Sequence, residues 1–256
     1  MDLVEFSTRG FLTYVLVLLR VSGLFVFAPV LGSATVPGQV KAAASMVIAL
    51  ALLPVTAPHV PAVLTIPYML VAAAGETVVG LLIGYAANLI FVAVQLGGMQ
   101  VDQQMGLAIG SVFNPLVETQ DSLVGQFYFL FTMFIFLAIN GHHILLAALV
   151  GSFQSVPIGT IALSGRTLDM VITLFGTVFT VAFAISAPMV LALFLVTVAM
   201  GFVARTVPQM NILIVGFPVR IIVGFAVMMF TLPAIGYFLA KTIGAVLSGL
   251  PALVAG

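Results

Sequence analysis

Apolar residues along the chain fall into long runs separated by short stretches rich in Pro, Gly and Asn. The first run covers residues 11–27 and stops near Pro29, and a turn-rich link with Pro37-Gly38 follows over 32–39. A second run, 42–53, is expected to end at Pro54, because proline removes a helix hydrogen bond and clashes with the preceding turn. A Pro-spaced connector over 59–67 leads to a third run, 68–104, which opens into a polar-tipped loop over 107–122. The fourth run, 123–139, is broken by Asn140-Gly141-His142-His143, and a short helix over 144–153 comes next. Pro157-Ile158-Gly159 opens a loop that ends near Arg166. The last two runs, 168–204 and 212–247, are divided by the polar stretch from Arg205 to Asn211. The pattern predicts an all-helical chain with no linker to a second domain.

Three runs, 68–104, 168–204 and 212–247, have an awkward length. As straight helices each would reach about 55 Å, against a hydrocarbon core of about 30 Å. Each is too long for one span and short for two. Pro188, Pro218 and Pro233 lie inside the last two, so kinks are expected there. Two architectures fit: long tilted helices that protrude from the bilayer, or bent helices and hairpins held by neighbouring subunits.

The third run carries a stripe. At 100° per residue, Glu76, Gly80, Gly84, Asn88, Gln95, Gly98 and Asp102 share one sector of about 120°. Leu82, Ala86, Leu89, Ile90 and Leu96 take the opposite side. Small and polar residues in one stripe suit close helix packing in a membrane. Glu76, Gly80, Gly84, Gln95 and Asp102 are therefore expected to face protein or a conduit rather than lipid.

Composition narrows the class. Of 256 residues, 63% are hydrophobic and 5% charged, with seven basic and seven acidic side chains. Soluble domains carry about 25% charged residues, so the chain is read as an integral membrane protein and not as a nucleic-acid binder. Cys is absent, which excludes disulfides, thiolate metal sites and thiol nucleophiles. The N-terminal run, preceded by Asp2, Glu5 and Arg9, is expected to be a retained first helix rather than a signal peptide.

Arg20, Glu76 and Arg220 sit inside apolar runs, where ionisable residues are costly and usually face protein or water. They are either functional or structural, and Arg20 with Glu76 is a candidate ion pair. His142-His143 could suggest metal or proton transfer, but adjacent helical residues diverge by about 100°, and no acid lies nearby in sequence; a turn or interface role is expected. The chain has no GxSxG, GxGD, HExxH or phosphate-cradling motif, so no catalytic, cofactor or metal site is assigned. A secondary transporter remains a rival, because transporters also use broken helices and midplane polar residues.

Four segments together resemble the FliR family of flagellar type III export-gate proteins. They are Gln95-Leu-Gly-Gly98 with Asp102-Gln-Gln-Met-Gly106 and Phe113-Asn114-Pro115; Phe136-Leu-Ala-Ile-Asn-Gly-His142; Ser155-Val-Pro-Ile-Gly159; and Ala187-Pro188, Gly201, Arg205-Thr-Val-Pro-Gln-Met-Asn211 and Gly216-Phe-Pro218. The first third matches in general pattern through Arg20, Ala28-Pro29 and Pro37. The family commonly shows Asp-Pro where this chain has Asn114-Pro115.

The resemblance implies an all-α polytopic membrane protein of long, kinked helical hairpins. About residues 1–166 would be FliP-like and about 167–256 a FliQ-like hairpin. It implies FliP-like and FliQ-like partners, other basal-body and export-apparatus proteins, lipid, and unfolded flagellar substrates in transit. It places the chain in the inner membrane of the flagellar basal body, with part of the assembly on the periplasmic side and periplasmic termini. The basic residues alone do not orient the chain. The resemblance also implies a pore plug around Met105, Gly106, Ile109, Phe113, Asn114 and Pro115, and a hairpin turn at Arg205, Pro208, Gln209 and Asn211. Arg20, Glu76, Gly80, Gly84, Gln95 and Asp102 would serve as intramembrane polar or subunit-interface positions. A homologous virulence-type injectisome subunit is the nearest alternative.

Overall fold

The computed structural model describes residues 3–33, 35–56, 66–107, 122–160, 165–207, 209 and 211–254. Among the described residues all regular structure is helical: α1 (Leu3–Phe27), α2 (Gly38–Thr56), α3 (Ile66–Met105), α4 (Leu123–Ala138), α5 (Gly141–Ser155), α6 (Gly165–Thr206) and α7 (Ile212–Val254). Four of these, α1, α3, α6 and α7, contain stretches long and apolar enough to cross a membrane, and α4 with α5 makes a fifth if the bent pair is counted as one.

The three long runs each form one uninterrupted helix, of 40, 42 and 43 residues, rather than a tight hairpin. Pro188 is accommodated within α6 and Pro54 within α2, which continues to Thr56 instead of stopping at the proline. Pro67 occupies the first turn of α3, where a missing N–H costs nothing. A true break occurs at Asn140: its φ of 56° is left-handed, and α4 and α5 meet at a 68° bend. Asparagine tolerates that conformation better than other non-glycine residues.

Two compact units emerge, each from interleaved segments. One comprises residues 1–89, 136–175 and 242–256; the other comprises 90–135 and 176–241. In the first unit Leu16, Val17, Val21 and Leu24 of α1 are buried, together with Val79 and Ile83 of α3 and Leu145 and Leu149 of α5. In the second, Phe91, Val94 and Val101 of α3, Tyr128 of α4, Ile185, Met189 and Leu193 of α6, and Ile235 and Leu239 of α7 form the core. Helix α3 is buried on more than its small-residue stripe: Ala86, Leu89 and Ile90, predicted on the opposite side, are also enclosed.

Candidate functional site

The site begins where a charge enters the apolar part of α1. Arg20 is fully buried, and its Nε donates to Oε2 of Glu76 on α3 at 2.5 Å. Its remaining nitrogens are also used. Nη1 donates to the Ser152 hydroxyl at 3.1 Å, Nη2 donates to the Val156 carbonyl at 3.0 Å, and the guanidinium lies 4.2 Å from the Phe153 ring centroid. The second carboxylate oxygen of Glu76 accepts the Gly159 N–H at 2.9 Å, and the Tyr68 hydroxyl donates to the Gly159 carbonyl at 3.0 Å. Gly159 has a φ of 81°, a backbone conformation that disfavours any side chain. The planar guanidinium fork is suited to several acceptors at once. Arg20 and Glu76 thereby hold the loop after α5, including the buried Val156 and Ile158, against α1 and α3.

Gly80 and Gly84 lie one and two turns beyond Glu76 on the same stripe, and both meet the backbone of α1. A Cβ on Gly80 would collide with the Arg20 carbonyl oxygen, and one on Gly84 would lie 2.5 Å from the Leu24 carbonyl oxygen. Gly23 of α1 answers from the other side, 2.7 Å from the Thr77 carbonyl by the same measure. Small residues on both helices allow the backbones to touch.

In the second unit Asp102 is 4% exposed and accepts hydrogen bonds from the Ser122 hydroxyl and from the Val124 N–H at 3.2 Å. Ser122 in turn accepts the Gly125 N–H at 2.8 Å, which makes it the N-cap of α4. A carboxylate at a helix N-terminus is further stabilised by the helix dipole. Gly98 packs against Gly125 so closely that a Cβ on it would overlap the Gly125 backbone. Gly97 approaches Ala182 of α6, where a Cβ would lie 2.8 Å from the carbonyl oxygen. Gln95 is exposed.

Residues 11–246 match the sequence model of bacterial export proteins, family 1. The chain belongs to that family. It is 34% identical over 218 residues to the flagellar biosynthetic protein FliR of Bacillus subtilis, covering 84% of each chain. It is 28% identical over 225 residues to the Escherichia coli K12 protein of the same name, covering 86% of this chain and 84% of the relative. Yop proteins translocation protein T of Yersinia pestis is 31% identical over 228 residues, covering 86% and 84% respectively. FliR relatives and this chain thus share most of their length.

Within this FliR-family fold the other singled-out residues fall as follows. Met105 is buried and its side chain seats on Gly224 of α7; Gly106 (φ 80°) closes α3, its N–H donating to the Asp102 carbonyl at 3.0 Å. Ile109, Phe113, Asn114 and Pro115 lie outside the described residues, as does Pro208. Arg205, Gln209 and Asn211 are exposed, and the Asn211 carbonyl accepts the Ile214 N–H at 3.1 Å at the start of α7. The His142 and His143 rings lie 4.2 Å apart, and no group of three metal-ligating side chains is present among the described residues. Sequence reasoning missed Ser152, Val156 and Gly159 as partners of the ion pair, and Ser122 as a cap. For Ser122 a signal existed, because it directly precedes an apolar run.

Proposed function

We propose that this chain is a structural subunit of a flagellar type III export gate. With FliP-like and FliQ-like subunits it forms the conduit through which unfolded flagellar proteins cross the inner membrane, and it performs no catalysis itself. One observation carries the reading beyond family membership. Helix α6 would extend about 63 Å and α7 about 64 Å, roughly twice the hydrocarbon thickness, yet the chain buries only 33% and 17% of their apolar stretches. Exposed faces run the length of both helices: Phe175, Phe179, Phe183, Leu191, Phe194 and Phe202 on α6, for example. Lipid can cover only part of such a stripe; the surplus calls for helices of other subunits. In this reading the 1–166 and 167–256 parts stand in for FliP-like and FliQ-like neighbours, and part of the assembly stands on the periplasmic side.

The Arg20–Glu76 network fits a rigid scaffold. The three Arg20 nitrogens and both Glu76 carboxylate oxygens are engaged within the chain. The test is twofold. Deleting the gene should leave flagellar export substrates in the cytoplasm, and the tagged chain should bring FliP-like and FliQ-like subunits out of the membrane with it. A chain that purifies alone as a stable, substrate-binding monomer would instead be a transporter.

A further inference from the structure

Among the described residues Arg220 is a cation with no ion-pair partner. It lies on α7 in the second compact unit, eight residues and about 12 Å after the helix begins. Its residue is half-buried, and its Nε is enclosed without a hydrogen-bond partner among the described residues. Gly216 and Gly224, one turn to either side, are buried, and a Cβ on Gly224 would lie 2.8 Å from the Met105 side chain. The guanidinium is therefore rooted on the packing face of α7, where it cannot be treated as a freely solvated charge.

The described acids do not complement it. Glu76 is committed to Arg20 and the Gly159 N–H, and Asp102 to Ser122 and the N-terminus of α4. Asp169 forms no ion pair among the described residues. Among the described residues Arg20–Glu76 is the one ion pair. A guanidinium held in an apolar environment needs an acceptor for its fork, and a carboxylate matches it with two parallel hydrogen bonds. A lipid headgroup fits less well, because Nε is enclosed within the protein.

We infer that Arg220 is an intersubunit docking point, taking a carboxylate from an apolar helix of a neighbouring export-apparatus subunit that packs along α7. This rests on the export-gate reading. It adds a specific charged contact to an interface that α7 otherwise offers as apolar surface.

The experiment is co-purification of the tagged full-length chain with co-expressed export-apparatus subunits from membranes. Arg220→Met, which keeps the apolar stem, should lower recovery of the subunits at least about tenfold. Arg220→Lys should retain more than Arg220→Met does. Arg220→Glu should lose recovery, and it should regain it when one acidic residue in a co-purifying subunit is changed to Lys. Each variant chain alone, in detergent, should match wild type in yield and protease resistance, which separates docking from folding. Wild-type recovery by Arg220→Met overturns the inference. So does rescue of Arg220→Glu by Glu118→Arg or Asp121→Arg, at acids of this chain that lie outside the described residues, or failure of every acidic-to-Lys change in the partners. Should the wild-type chain recover no export subunit, the export-gate reading itself falls, a result distinct from any of these.

Discussion

Nε of Arg20 and Oε2 of Glu76 stand 2.5 Å apart with side chains 0% and 1% exposed, joining α1 to α3 and, through Val156 and Gly159, to the loop behind α5. Such a pair gains little over apolar residues of similar volume, but removing one partner strands a buried charge. Arg20→Ala or Glu76→Ala should therefore destabilise the chain by about 3–5 kcal/mol. Arg20→Met combined with Glu76→Leu should recover much of that loss. Arg20→Lys should rescue poorly, because an ammonium lacks the fork that reaches Glu76, Ser152 and the Val156 carbonyl together. Thermal unfolding of the detergent-solubilised chain measures all four; a double variant no more stable than either single one would contradict the account.

The glycines separate into two kinds. Gly80 and Gly84 touch the α1 backbone, whereas Gly176 and Gly201 of α6 face open space where a Cβ would sit. Gly80→Ala and Gly84→Leu should push α1 from α3 and destabilise the isolated chain. Gly176→Ala and Gly201→Ala should stabilise it by about 0.5–1 kcal/mol through helix propensity. If partner helices approach α6 at these open positions, Gly176→Leu and Gly201→Leu should lower gate assembly while leaving the isolated chain as stable as wild type. Paired melting and co-purification measurements decide it.

The helices were legible because apolar runs and Pro or Gly punctuation survive in the sequence, and the break at Asn140-Gly141 was visible as such. The lengths of α3, α6 and α7 were legible too, but their continuity was not: a proline in a long helix signals a kink or stop only when neighbours do not hold the flanking turns. The stripe on α3 gave the residues that approach α1 and α4. It did not show that the opposite face is buried as well, because apolar residues there suit lipid and protein alike. The partners of Arg20 were hidden for another reason. Ser152 and Val156 lie more than 130 positions away in sequence, and nothing local in a buried hydroxyl or carbonyl announces which cation it will serve.

Residues 207–211 join α6 to α7, both of which run through the second unit, and Arg205, Gln209 and Asn211 are exposed there. If this link is a hairpin turn facing the cytoplasm, Thr206→Cys should react with an impermeant thiol reagent only from the cytoplasmic side. The chain contains no other cysteine to confuse the result. Labelling from the periplasm alone would reverse the orientation. Arg205→Ala and Gln209→Ala should leave the stability of the isolated chain within about 0.5 kcal/mol, as surface changes do. If the turn docks onto other export components, the same changes should nevertheless reduce export of flagellar substrates.

Asp102 and Ser122 form a clasp between α3 and α4. The carboxylate receives the Ser122 hydroxyl and the Val124 N–H, while Ser122 caps the Gly125 N–H. The end of α3 and the start of α4 are thereby fastened across the intervening residues. Losing an N-cap costs about 0.5–2 kcal/mol. Asp102→Ala additionally leaves Val124 without its acceptor and removes a negative charge from the positive end of α4. Exchange of the Leu123 to Gln126 amides should therefore speed up about tenfold or more in Asp102→Ala, since about 1.4 kcal/mol corresponds to one decade. Asp102→Asn, which keeps one carbonyl acceptor, should show a smaller increase. Ser122→Ala should expose Gly125 preferentially over Val124. Exchange elsewhere in α4 should stay unchanged, because Tyr128 and Thr132 remain buried in the core independently of the clasp. Uniform acceleration along the whole of α4 would mean that Asp102 holds the helix in place rather than capping its first turn.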